Sequence, residues 1–169
     1  MNNKSPDYYD IDALLNEEQK LVRDSIRDWV KENVSPIIED SNFNASFPKE
    51  LIKLLADVGG FGSIFPEKYG GISLDYISYG LMMQELERGD SSVRVFCSIQ
   101  TSLVMNTIYT FGSDELKQTY LNKLSRGELV GSFGLSEPNH GSDPSSMDMT
   151  YIELDDCYLL NGSKMWIGN

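Results

Sequence analysis

The sequence offers a metal ion almost nothing to hold. Its 169 residues include one histidine, His140, and two cysteines, Cys97 and Cys157, too few soft ligands for a zinc site. Two widely separated cysteines make no disulfide framework either, which suits a reducing compartment. Basic residues are scarce, 14 against 26 acidic ones, for a formal net charge of −12. An acidic surface repels phosphate backbones and excludes nucleic acid as an expected partner. Long hydrophobic runs are missing too. The longest charge-free stretch, 95–113, contains Ser98, Gln100, Thr101, Ser102, Asn106, Thr107 and Thr110, so it is too polar for a membrane span, which needs about 20 mainly apolar residues. Met1-Asn-Asn-Lys-Ser-Pro6 has no apolar signal core and no Arg-rich presequence, and the expected location is cytoplasmic.

What is present reads as a globular chain, with 40% hydrophobic and 24% charged residues. Residues 1–13 read as a polar leader. Asn16 followed by Gln19 predicts a capped helix start, with Leu21, Val22, Ile26, Trp29 and Val30 on one face. Pro36 interrupts it, and a short helical piece resumes to about Asp40. Pro48 opens a further helix over 49–58, closed by Gly59-Gly60. Residues 61–72 read as irregular. A helix over 74–88 offers Ile77, Met82, Met83 and Leu86 to the core. After Gly89, Asp90 or Ser91 caps a helix running to about Phe111. Ser113, with Asp114 and Glu115 in the first turn, starts the last helix, which ends near Gly127.

Beyond Gly127 the pattern turns strand-like, over 129–135, 150–154 and 157–160, with Asp155-Asp156 as a hairpin tip and Asn161-Gly162 as a second turn. Helices followed by strands predict an α+β chain: a helical domain over 1–128, then an incomplete, mainly antiparallel β-domain over 129–169.

Two segments carry possible chemistry. Gly131-Ser-Phe-Gly-Leu-Ser-Glu-Pro-Asn-His-Gly-Ser-Asp-Pro-Ser-Ser146 passes from an apolar run into a loop of small and polar residues. Such a loop can direct backbone N–H groups and hydroxyls at one ligand, although on spacing alone a surface loop that only satisfies its own turns is the simpler reading. The second segment is Tyr158-Leu-Leu-Asn-Gly-Ser-Lys-Met-Trp-Ile-Gly-Asn169. Between the helices, Arg94 and Ser98 lie one turn apart. Glu87 lies across the break at Gly89, so spacing alone does not bring it to Arg94. Arg94 either forms a structural ion pair with Glu85, Glu87 or Asp90, or clamps a substrate carboxylate. His140 reads as an exposed loop residue with no evident orienting carboxylate.

Phe133-Gly-Leu-Ser-Glu-Pro and Gly141-Ser-Asp143, with Trp166, resemble the flavin-binding signature of the acyl-CoA dehydrogenases. The stretch 85–105 is similar to the glutaryl-CoA dehydrogenase branch. The resemblance implies that Phe133, Leu135 and Ser136 lie along an FAD ring, that Ser142 with the Gly141 turn meets the pyrophosphate, and that Trp166 sits near the ring. Gly168 stands where the family usually has a hydroxyl residue. The resemblance further implies that Arg94 and Ser98, with Glu87 nearby, bind the distal carboxylate of a glutaryl chain, and that Leu103 lines the acyl pocket. Val95-Phe96 replaces smaller residues there. The implied reaction is α,β-dehydrogenation of an acyl-CoA, with decarboxylation to crotonyl-CoA in the glutaryl branch. The implied electron acceptor is an electron-transfer flavoprotein, and the implied assembly is a homotetramer. The family's catalytic glutamate belongs to a C-terminal helical bundle outside these residues, so the chain alone is expected to bind FAD poorly and not to turn over. The alternatives are a dehydrogenase or oxidase acting on a plain acyl chain, and a non-catalytic helical binding module.

Overall fold

A computed structural model describes residues 8–169. The first seven residues of the expected polar leader lie outside the described residues. Its last part is not featureless, because Ile11–Leu14 forms a 3-10 turn. Helix α1, Glu17–Asn33, begins with the expected reciprocal cap: Asn16 accepts from the Gln19 N–H and Gln19 accepts from the Asn16 N–H. Helices α2 (Ile38–Phe43) and α3 (Glu50–Asp57) flank Pro48. Helix α4, Tyr76–Gly89, is capped by Asp75, and α5, Ser91–Ser98, by Asp90.

The long helix expected up to Phe111 is in fact divided. A π-helical segment, Ile99–Met105, separates α5 from α6, Asn106–Phe111. Gln100, Thr101 and Met105 of this segment are buried. Helix α7, Asp114–Ser125, is capped by Ser113 as expected.

Helix α1 packs on α4, α4 on α5, and α7 on the π segment. The core is built from Ile26, Val30, Val34, Leu51, Leu55, Phe61, Phe65, Met82, Leu86, Val93, Phe96, Cys97, Met105, Leu121 and Leu124. Two residues assigned to core-facing positions are exposed instead, Leu21 and Ile77. The connection 60–71 is pinned to α5 and the π segment. The Cys97 thiol donates to Gly60 O (3.0 Å) and Gly62 N–H donates to Thr101 Oγ1 (3.0 Å). Burial pushes the Cys97 thiol up to about 12, so it packs and does not react.

Only the last two predicted strands form. β1, Thr150–Glu153, pairs antiparallel with β2, Tyr158–Asn161, with Glu153 opposite Tyr158 and Thr150 opposite Asn161. The run 129–135 belongs to no strand. Two of its backbone groups are met by a side chain. Buried Gln100 donates to Leu129 O (2.8 Å) and accepts from Gly131 N–H (2.9 Å).

Candidate functional site

The two motif segments are fastened together. Met165 N–H donates to Ser136 O (2.9 Å), and Lys164 Nζ donates to Leu135 O (3.0 Å) and to Glu137 Oε1 (2.8 Å). Glu137 is nearly buried. Its carboxylate also accepts from Asp148 N–H (2.5 Å) and Met149 N–H (3.0 Å). A single carboxylate therefore ties the loop, the approach to β1 and the segment before Trp166 into one piece. Residues 137 and 140 exchange backbone hydrogen bonds around Pro138-Asn139, which closes the loop into a tight turn. Sequence reading gave Glu137 and Lys164 no role. The available signal was an acid within a Pro/Gly loop and a lysine in the second motif, but nothing local pairs residues 27 positions apart.

The Lys164 ammonium holds the Glu137 carboxyl below its ordinary range, against an opposing effect of burial and with help from the two backbone donors. A depressed carboxylate stabilises the fold above its unfolded value, and that stabilisation is lost as pH falls through the lowered value. The loop is therefore expected to stay closed at pH 5–7 and to open only on acidification below about 4. Asp148 and Met149 amide resonances followed against pH check this. Movement already complete above about pH 5 would contradict it.

Around this tie the surface is open. Trp166 is 88% exposed, with a positive φ of 61°, an unfavourable conformation for a bulky residue that needs support from its surroundings. Ser142 and Gly141 are exposed, Phe133 and Ser136 are half-buried, and Leu135 is exposed. A Cβ at Gly141 would meet nothing within 4 Å. His140 is half-buried, and its Nε2 lies 3.3 Å from Asp148 Oδ2, so the expectation of a histidine without a carboxylate is corrected.

Arg94 does reach Glu87. Extended Asp90 turns the chain between α4 and α5, and Arg94 Nε donates to Glu87 Oε2 at 2.5 Å. Ser91 and Arg94 together hold the Glu87 carboxyl low. The Ser98 hydroxyl donates to Val95 O one turn back (3.1 Å), and Leu103 is exposed. Phe96 stands in the wall of a cavity. It is buried against Phe47 and Phe61. That cavity, of about 430 Å³, is also lined by Phe47, Lys49, Ile52, Ser92, Val95, Val130 and Asn169. That cavity includes none of Glu87, Arg94, Ser98 or Leu103. Among the described residues no acid, histidine or cysteine group is placed to hold a metal, and no helix is long and apolar enough to cross a membrane.

Residues 16–128 match the family model described as acyl-CoA dehydrogenase, N-terminal domain. The chain is 38% identical over 155 residues to an acyl-CoA dehydrogenase of Bacillus subtilis, covering 92% of this chain and 41% of that protein. It is 35% identical over 162 residues to a glutaryl-CoA dehydrogenase of Desulfococcus multivorans, covering 94% and 42%. The crystal structure of a glutaryl-CoA dehydrogenase from Mycobacterium smegmatis in complex with FADH2 superposes with a TM-score of 0.91 at 38% identity, over 94% of this chain and 41% of that one. The chain thus spans about two fifths of the length of these relatives.

Proposed function

The chain belongs to the acyl-CoA dehydrogenase family, and on that premise we propose that residues 133–142 and Trp166 form the surface on which FAD lies during α,β-dehydrogenation of an acyl-CoA thioester. The observation that carries this reading is the fastening of Leu135, Ser136 and Glu137 to Lys164 and Met165, which makes one face of two distant segments. The residues suit a large planar dinucleotide. Trp166 and Leu135 give apolar area, the Ser136 and Ser142 hydroxyls can each donate one hydrogen bond, and the unobstructed Gly141 lets backbone approach closely. When bound, FAD supplies the hydride acceptor. The carboxylates of this loop and of the Arg94 cluster are already engaged, Glu137 by Lys164, Asp143 by Ser145 and Ser146, Asp148 by His140, and Glu87 by Arg94 and Ser91. We therefore assign removal of the substrate α-proton to a group outside this chain. An electron-transfer flavoprotein as acceptor and a tetrameric assembly belong to the same reading of the complete protein.

For the acyl chain we favour a dicarboxylic one, of the glutaryl type. Arg94 spends only Nε on Glu87, and a guanidinium has further donors on its two terminal nitrogens with which to grip a second carboxylate. Ser98 sits one turn along the same helix, and Leu103 offers apolar lining. The pairing itself favours a second reading, in which Arg94 is satisfied by Glu87 and the substrate carries a plain acyl chain.

Titration of the 15N-labelled chain with glutaryl-CoA and butyryl-CoA separates the two readings. Glutaryl-CoA is expected to shift the Arg94 Nε–H signal and to bind about 20-fold more tightly, an advantage that Arg94→Ala removes, in line with one charged hydrogen-bonding contact. Equal affinity for the two thioesters, before and after the substitution, would leave the plain-chain reading.

A further inference from the structure

The segments 131–136 and 165–169 run in opposite directions and are joined at their ends but not between. At one end Met165 N–H donates to Ser136 O (2.9 Å), with Lys164 Nζ on Leu135 O beside it (3.0 Å). At the other end Asn169 Nδ2 donates to Gly131 O (3.1 Å), and the Gly131 N–H is taken by Gln100 Oε1 (2.9 Å). No ladder forms in the middle. Among the described residues, the N–H groups of Phe133, Gly134, Leu135, Trp166, Ile167 and Gly168 have no hydrogen-bond acceptor, so they are open to solvent or to a ligand. An asparagine amide has two N–H donors, and Asn169 directs its nitrogen at Phe96 O as well (3.5 Å). Phe96 belongs to α5, the helix that carries Arg94 and Ser98. One amide group thus meets both motif segments and the helix behind them. Trp166, with its φ of 61°, lies between the Met165 and Asn169 anchors. Asn169 itself has a φ of 74°, a conformation that asparagine tolerates better than most residues.

We propose that Asn169 is a positioning residue for the flavin-facing surface: its side-chain amide closes the far end of the two segments against α5, supports Trp166 in its left-handed conformation, and leaves the backbone N–H groups between the two ends free for a ligand. It acts through Gly131 and Trp166. A backbone ladder at the same place would join the segments too, but it would spend those donors. The side-chain link spends none of the N–H groups of 166–168. The inference rests on the flavin reading for what the free edge meets, and on geometry alone for the clasp.

The test uses the whole 169-residue chain, labelled with 15N and 13C, as wild type, Asn169→Asp and Asn169→Ala. Aspartate keeps the shape and the left-handed tolerance but has no N–H to donate, and alanine removes the donors without adding a charge. In the wild type, a coupling through the hydrogen bond is expected between Asn169 Nδ2 and the Gly131 carbonyl carbon. Both variants are expected to shift the Gly131 carbonyl and Trp166 indole signals. Both should weaken the FAD-induced shifts of Phe133 and Leu135 about tenfold in apparent affinity, the effect of a lost hydrogen bond and of lost preorganisation. The urea midpoint is expected to stay that of the wild type, because the bond is exposed. The proposal is overturned if the coupling is missing, if both variants keep native Gly131 and Trp166 signals, or if a wild type that binds FAD is matched by its variants. It is also overturned if aspartate alone has an effect, since charge would then be the cause, or if the urea midpoint falls along with the affinity, since Asn169 would then be a general stabiliser. Coupling and shifted Gly131 and Trp166 signals, without any response of the wild type to FAD, would uphold the clasp and remove its flavin role.

Discussion

Gln100→Leu is expected to lower the stability of the chain by about 3 kcal/mol, with a drop of roughly 6–12 °C in the unfolding midpoint. Leucine fills nearly the same volume, so no cavity accounts for the loss. The loss comes from two backbone groups at once, Leu129 O and Gly131 N–H, because Leu124 O keeps the Gly127 N–H (3.1 Å). Gln100 is fully buried; its Nε2 donates to Leu124 O (3.0 Å) and Leu129 O (2.8 Å), and its Oε1 accepts from Gly131 N–H (2.9 Å). Each buried group left without a partner costs about 1–3 kcal/mol. The substitution also unties the end of α7 from the stretch that leads into the motif loop, so signals from residues 129–135 should move most. Urea unfolding measures the effect, and a change below about 0.5 kcal/mol would mean that water replaces the amide without loss.

Arg27→Met is expected to cost about 2 kcal/mol, and the double substitution Arg27→Met/Glu85→Met to recover most of it. The Glu85 side chain is 0% exposed and receives Arg27 through two nitrogens, Nε at 3.0 Å and Nη2 at 2.9 Å. Removing the arginine leaves a buried carboxylate whose remaining cation is the more exposed Arg88, 3.2 Å away. Breaking a fully buried pair costs about 3–5 kcal/mol; Arg27 is about one third exposed, so solvent lowers the figure. A double-mutant cycle should give a coupling of at least about 1 kcal/mol. Simple additivity of the two substitutions would show that α1 and α4 are held by their apolar contacts alone.

The parts of the fold legible in the sequence are those that short-range chemistry decides. The caps at Asn16, Asp90 and Ser113 need only a side chain and an N–H two or three residues away, and the hairpin tip at Asp155-Asp156 needs only a turn between two apolar runs. Periodicity placed Ile26 and Val30 in the core, but it also placed Leu21 and Ile77 there, because it identifies a face without showing how much of that face has a neighbour. The run 129–135 has the composition of a strand, yet the long-range partner is a glutamine side chain. The π segment was hidden too, since its residues carry no local signal that separates it from the helices on either side. At the site, the motif positions were legible as a pattern, but the Glu137–Lys164 tie that joins them was not. Across Gly89, spacing argued against a Glu87–Arg94 contact that the extended Asp90 creates.

In this reading the loop at 133–142 and Trp166 present one face to a flavin. Titrating FAD into the 15N-labelled chain, to millimolar concentration because weak binding is expected of it, tests this most directly. Saturable shifts are expected, confined to the amides of Phe133, Leu135, Ser136, Gly141 and Ser142 and to the Trp166 indole N–H, with α1 to α3 unmoved. Unchanged spectra, or shifts centred on another surface, would contradict it.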